Sequence, residues 1–208
     1  YGLVFIYADV YLGMGAELSL ILAVSSGLGL FTLPLWPRVA SRWGKTFGWG
    51  LGMLLVIAGA IGTGMLRPES ADRYSLLVCV TIVYCGFMAI NILAPSLLSD
   101  IVDYGTWRFG VARGATCFSL YTFVQKGSMA LGGALGLGIA GLSGFDASGG
   151  DHSSAASAGL TFAIAWLPAV FIFLSLIFMR LFPMNANNHR VIRRRLDKKA
   201  LSSVLVKK

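Results

Sequence analysis

Charged residues are scarce in this sequence. They make up 12% of the 208 residues, whereas a soluble domain carries about 25%. This scarcity accompanies a hydrophobic fraction of 56% and a mean hydropathy of +0.75. Together these values exclude an ordinary soluble domain and predict an all-α integral membrane protein.

Cysteine and histidine are also rare, which argues against several kinds of site. Cys79, Cys85 and Cys117 lie in apolar runs without a C-x-x-C pair, and His152 and His189 lie apart in polar segments. Neither a disulfide framework nor a metal site is expected from this spacing. No nucleophile, base and acid occur together, so the sequence predicts no enzyme and no cofactor.

Two phosphate-binding motifs are present only in part. Gly44-Lys45-Thr46 lacks the preceding glycine of a P-loop, because Val39 occupies that position. The spacing Gly136-x-Gly138-x-x-Gly141 falls inside an apolar run, without the βαβ unit that a dinucleotide site needs. Gly48-x-x-x-Gly52 and Gly132-x-x-x-Gly136 are better explained as small residues that let helices pack closely.

The apolar runs predict a multi-pass helical bundle over residues 1–183. A span needs roughly 20 such residues. Five runs approach or exceed this length, and a sixth, at the start of the chain, is short. They cover residues 1–12, 18–35, 47–66, 76–98, 115–144 and 160–182. Because the first run begins abruptly at Tyr1, we expect the chain to be a fragment. Residues 184–208 form a basic tail.

The basic residues predict which side of the membrane each loop faces. If the runs alternate in direction, most of the 17 lysines and arginines fall on one side. That side carries Arg38, Arg42, Lys45, Arg108, Arg113 and the tail. The positive-inside rule makes it cytoplasmic, together with the C-terminus. The tail is then expected to contact anionic lipid rather than nucleic acid.

Lys126 lies within an apolar run, about eleven residues from its start and so about 16 Å deep. A charge at that depth costs ~2.5–3.5 kcal/mol on insertion scales, and it is tolerated beside a polar pathway or a carboxylate. Tyr121, Thr122 and Gln125 are close in sequence, and their groups suit a polyhydroxylated ligand. These four residues form the predicted substrate and cation pathway. If the helix instead began later, Lys126 would reach the membrane interface.

The predicted membrane runs offer Lys126 almost no carboxylate, so a central partner would have to come from upstream. Charges of both signs cluster instead where a cytoplasmic loop is expected, and Lys45 lies at the same level. The predicted cytoplasmic gate consists of Asp100, Asp103, Arg108, Arg113, Arg38 and Arg42. Ion pairs among them could break on opening, or these charges could serve only as helix caps and topology signals.

Residues 97–114, "LLSDIVDYGTWRFGVARG", resemble the cytoplasmic loop of the glycoside-pentoside-hexuronide:cation (melibiose permease-like) symporters of the major facilitator superfamily. Further segments of that family are similar to "LPLWPRVASRWGK", "YTFVQKGS" and "MRLFPMNANNHRVIRRRL". These segments follow one another in the same order as in the family. The family's loop commonly has a glutamate where this chain has Thr106.

The resemblance implies the carboxy-terminal six-helix bundle of such a transporter, from part of span seven to span twelve. It further implies cation-coupled symport, with Na+ or H+, of a sugar or glycoside by alternating access in a bacterial inner membrane. The partners would be the bilayer and an amino-terminal half whose carboxylates pair with Lys126. Alternatives are transport of a lysolipid or another non-sugar solute, and a non-transporting receptor or scaffold.

Overall fold

The structure, a computed structural model, describes residues 2–67, 72–111, 113–144 and 154–181. All regular structure within these ranges is helical, which confirms the all-α class. The predicted basic tail, residues 184–208, lies outside the described residues. The helices are α1 (Gly2–Ile6), continued by the π-helical turn Tyr7–Tyr11; α2 (Gly15–Phe31); α3 (Leu35–Trp43); α4 (Lys45–Met65); α5 (Arg73–Phe109); α6 (Gly114–Leu142); α7 (Ser154–Thr161), continued by the π-helical turn Phe162–Trp166; and α8 (Leu167–Arg180).

Among the described residues, three helical segments are long and apolar enough to cross a membrane, namely Lys45–Met65, Arg73–Phe109 and Ala156–Met179. The number rises to four if α2 and α3, which are bent by 45° relative to each other, form one broken span. The 29-residue helix α6, which the sequence predicts as a span, is not among them. Gln125, Lys126 and its many glycines keep its hydropathy low.

Helix α5 extends beyond its predicted end and corrects one expectation. The predicted span stops at residue 98, followed by a loop, but the helix continues to Phe109, so Asp100 and Asp103 are helical. It ends where Gly110 adopts a φ of 73° and its N–H donates to the Thr106 carbonyl. The segment after residue 98 contains no proline, so nothing stops the helix before that glycine.

A capping box fixes the other end of α5. Asp72 Oδ1 accepts a hydrogen bond of 2.8 Å from the Ser75 backbone N–H, and the Asp72 N–H donates to Ser75 Oγ over 3.2 Å. These interactions satisfy N–H groups that the first helical turn would leave unpaired. They also lower the pKa of the exposed Asp72 carboxyl, chiefly through the Ser75 backbone hydrogen bond.

Small residues allow α4 and α5 to pack closely along their length. A Cβ added at Gly52 would lie 2.6 Å from Ala89 Cβ, and one added at Gly59 would lie 2.8 Å from the Cys79 carbonyl oxygen. At Gly86 an added Cβ would collide with the Gly52 carbonyl oxygen. Backbone contact at such distances is the expected result of glycine spacing in membrane helices.

A cluster of buried side chains brings together the π-helical turn after α1 with α2, α5, α6 and α7, near the loops that precede α2 and α5. Its buried members are Tyr7, Ala8, Leu12, Leu18, Ile21, Leu76, Val80, Ala140 and Leu160. Tyr7 Oη donates a hydrogen bond of 2.8 Å to the Thr63 carbonyl. The π-helical turn after α1 is therefore fixed against α4.

A short α3 replaces one predicted connector. The residues between the predicted runs 18–35 and 47–66 were expected only to join two spans, yet Leu35–Trp43 form a helix after the turn at residues 32–34. Trp36 is only 2% exposed, and its Nε1–H donates to Thr32 Oγ1 over 3.3 Å. Contacts of α3 with α4 and α5 hold the short helix at the end of the bundle where α4 begins.

Candidate functional site

Lys126 is exposed and lies well inside α6. The helix begins at Gly114, twelve residues earlier, which corresponds to about 18 Å along the helix axis. The helix thus begins at the start of the predicted run rather than later, while the depth of Lys126 in the membrane stays a prediction. Lys126 forms no ion pair with any residue that the structure describes.

The other predicted pathway residues are grouped around Lys126 on the same helix. Thr122, one turn before it, donates its hydroxyl hydrogen to the Phe118 carbonyl over 2.9 Å, so its oxygen can still accept a hydrogen bond. Gln125 is exposed and Tyr121 is half-buried. The structure thus brings an ammonium, a hydroxyl and an amide to the open surface of one helix, with a phenol beside them.

The amino-terminal part of α6 is largely uncovered by the rest of the bundle. Within this helix the buried residues are Gly136 and Ala140, both in its final third. Large apolar side chains on several sides of the earlier turns are exposed, including Leu120, Phe123 and Met129. The polar group around Lys126 is therefore part of a surface that has no cover within the described chain.

One ion pair joins two helices at the end of the bundle where α4 begins. Lys45 Nζ lies 2.6 Å from Asp100 Oδ1 and donates to the Ser96 carbonyl over 3.2 Å. The Asp100 side chain is 12% exposed and that of Lys45 is 33% exposed. The pair ties the first residue of α4 to the long helix α5. Asp100 belongs to the predicted gate, whereas its partner Lys45 was predicted only to lie at the same level.

The predicted gate arginines have other contacts. Arg38 Nη1 donates to the Pro34 carbonyl over 3.0 Å, and the Arg42 guanidinium carbon lies 5.9 Å from the centre of the Trp43 ring. Arg108 Nη1 donates to Tyr104 Oη over 3.0 Å. Arg113 is exposed in the connector before α6.

Asp103 is half-buried on α5, one turn beyond Asp100. The gating role of Asp103, of Asp100 and of the four arginines stays a prediction.

An apolar cavity that the sequence did not reveal lies between α1, α2, α4, α5 and the α7–α8 segment. Its volume is about 300 Å³, and its lining includes Tyr7, Val56, Val80, Tyr84 and Phe87. None of the predicted pathway residues lines it. Because its walls come from five separate segments, no local sequence pattern could have marked it. An apolar lining also does not suit a polyhydroxylated solute.

The chain is similar to known transport proteins. Residues 1–186 match the model of a family described as MFS/sugar transport protein. The chain is 32% identical over 129 residues to an uncharacterized symporter, YjmB, of Bacillus subtilis, which covers 61% of this chain and 27% of the relative. It is 30% identical over 144 residues to an isoprimeverose transporter of Lactiplantibacillus pentosus, covering 69% of this chain and 29% of the relative.

A third relative is a glucuronide carrier protein homolog of Escherichia coli. The identity is 29% over 163 residues, which cover 76% of this chain and 34% of the relative. The chain thus spans about a third or less of the length of the curated relatives it matches. The family match covers most of the chain and agrees with the prediction of a transporter rather than an enzyme. The chain is a multi-pass membrane protein that belongs to the MFS/sugar transport protein family.

Proposed function

We propose that the chain is the carboxy-terminal six-helix bundle of a secondary active transporter that carries a sugar or glycoside together with Na+ or H+. The proposal extends to a bacterial inner membrane and a cytoplasmic C-terminus. The observation that carries it is the exposed Lys126, twelve residues inside α6, whose amino-terminal part the described bundle leaves uncovered. A charge at such a position is expected to face a polar pathway.

The proposed coupling depends on what Lys126 contacts. In this mechanism a cation binds among carboxylates contributed by an amino-terminal half, and its binding changes the interactions available to the ammonium. Thr122 and Gln125 contact the solute beside it, with Tyr121 as a further candidate. The affinity for the solute then depends on the cation, and by linkage the affinity for the cation depends on the solute.

A second solute class, an acidic sugar derivative or a small organic sulfonate, is favoured by a specific observation. Lys126 is an exposed cation without a described acidic partner. Relatives of this chain are named as a glucuronide carrier homolog and a putative sulfoquinovose importer. Glucuronides carry a carboxylate and sulfoquinovose carries a sulfonate, so either could pair with the lysine directly.

The test measures uptake of labelled neutral glycosides and glucuronides into membrane vesicles that contain the full-length transporter. We expect uptake to rise severalfold when an inward Na+ or proton gradient is imposed. Lys126→Ala should remove this gradient dependence for a neutral glycoside, and it should remove uptake itself if the solute is anionic. Ser128→Ala, at an exposed neighbouring position, is the control and should keep both.

Uptake that is indifferent to every cation gradient would refute symport. Gradient-dependent uptake that survives Lys126→Ala at the wild-type level would remove this lysine from the pathway while leaving transport intact.

A further inference from the structure

Helix α3 has a polar edge beside an apolar surface at the end of the bundle. At 100° per residue, Arg38 and Arg42 lie within about 40° of each other around the helix axis, with Leu35 next to Arg42. The buried ring of Trp36 fixes the opposite part of the helix against the bundle. The arginines are thus held on the outer side of α3, and both are exposed.

Exposed apolar side chains continue from α3 onto the neighbouring helix α4. Trp43 is 59% exposed and Phe47 is 53% exposed. Their rings meet edge to face with centroids 5.4 Å apart. Since Phe47 belongs to the first turn of a helix that is long and apolar enough to cross a membrane, this aromatic pair lies where that helix would leave the bilayer. Trp and Tyr side chains are enriched at that depth, which suits Trp43.

The guanidinium groups of α3 are held next to this apolar surface, and the described part of the chain gives them no acidic partner. The Pro34 carbonyl fixes Arg38, and Arg42 lies beside the Trp43 ring. Neither forms an ion pair with a residue that the structure describes. The sequence contains no aspartate or glutamate between Glu17 and Glu69.

We propose that α3 and the first turn of α4 form a binding site for an anionic phospholipid. The lipid phosphate binds between Arg38 and Arg42, and the upper part of an acyl chain packs against Leu35, Trp43 and Phe47. Guanidinium groups match phosphate geometry through paired N–H donors. An amphipathic helix with arginines beside exposed aromatic side chains is also the pattern of helices that lie at a lipid interface.

A lipid fits this surface better than an acidic peptide or a second copy of the chain. The apolar part of the site is continuous with a candidate membrane-spanning helix, so a hydrocarbon chain can cover it on the side where the bilayer begins. An acidic peptide would supply the charge but no hydrocarbon at that depth. A second copy would bring another Arg38 and Arg42 and repel the first.

Native mass spectrometry of the purified full chain can test the site by titration with phosphatidylglycerol and with phosphatidylcholine of the same acyl chains. We expect tighter binding of phosphatidylglycerol. The double variant Arg38→Gln, Arg42→Gln should weaken it by about fivefold per arginine removed and leave phosphatidylcholine binding unchanged. Arg73→Gln is the matched control. This exposed arginine also lies near an aromatic ring, 5.0 Å from that of Tyr74, but it begins α5 and so lies at the opposite end of the bundle from α3. This variant should bind like the wild type.

Equal binding of the two lipids by the wild type, or an equal loss in the Arg73→Gln control, would overturn the proposal. The proposal would also be overturned if the chain formed dimers that depend on Arg38 and bind no lipid. If the double variant does not fold, Arg38→Lys with Arg42→Lys retains the charge. This lysine variant should bind phosphatidylglycerol more weakly than the wild type but still prefer it to phosphatidylcholine. In a separate measurement, raising the salt concentration should weaken the binding of phosphatidylglycerol to the wild type. An unchanged affinity in high salt would contradict the site.

Discussion

Lys45 and Asp100 illustrate how one residue pair can hold two helices together at the residue scale. The carboxylate is largely buried and the ammonium is one-third exposed, so the pair is better protected from water than a surface ion pair. A hydrogen bond that involves a charged group contributes about 1.5–3 kcal/mol when it is shielded, and less when water can compete. The Ser96 carbonyl supports the same ammonium.

This arrangement predicts a measurable coupling between the two side chains. Asp100→Asn and Lys45→Met should each lower the free energy of unfolding by about 1–2 kcal/mol. The double variant should lose about 1 kcal/mol less than the sum, because the second change removes a group that has already lost this ion pair. The measurement is unfolding in mixed detergent micelles. The control combines Arg42→Gln with Asp100→Asn, and the losses of these two variants should add. Additive losses for Lys45→Met with Asp100→Asn would contradict the coupling.

At the scale of helices, the contact between α4 and α5 depends on residues without a side chain. An added Cβ at Gly86 would collide with the Gly52 carbonyl oxygen and come within 2.9 Å of the Val56 amide nitrogen. Neither backbone atom can move without separating the two helices. By contrast, a Cβ at Gly132 on α6 meets no described heavy atom within 4 Å.

The two glycines therefore predict opposite effects of the same substitution. Gly86→Ala should destabilise the bundle by about 1–3 kcal/mol, as overpacking does. Gly132→Ala should be neutral or stabilise by up to about 1 kcal/mol, because alanine is the better helix former. Unfolding of both variants in one detergent provides the comparison. An unchanged stability of Gly86→Ala would mean that the helices are farther apart than the structure shows.

At the scale of the whole molecule, the large exposed apolar surface calls for a bilayer around the helices. The loops are then expected to alternate between the two sides of the membrane. If the chain crosses as proposed, the connector at Arg113 and the outer side of α3 share one side, and the loop at Arg67 faces the other. Each of these positions is exposed.

Single cysteines introduced into a variant without native cysteines test this topology. In intact cells a membrane-impermeant maleimide should label Arg67→Cys and should reach Ser41→Cys and Arg113→Cys only after the membrane is opened. Equal labelling of Ser41→Cys and Arg67→Cys in intact cells would refute the alternating arrangement.

The sequence alone determined that this is a helical membrane protein of a known superfamily. A membrane protein must keep long stretches of side chains apolar, and the segments that resemble the family are continuous in the chain. The all-α class, membership in the major facilitator superfamily and the unusual position of Lys126 all follow from such local patterns.

The tertiary structure decided which residues meet. Lys45, rather than one of the predicted arginines, is seen to approach Asp100, since the pairing depends on how α4 and α5 cross. The helical conformation of α3 and the cavity formed by five segments were likewise settled by packing between helices. That packing depends on distances between residues far apart in the chain, which no local pattern records.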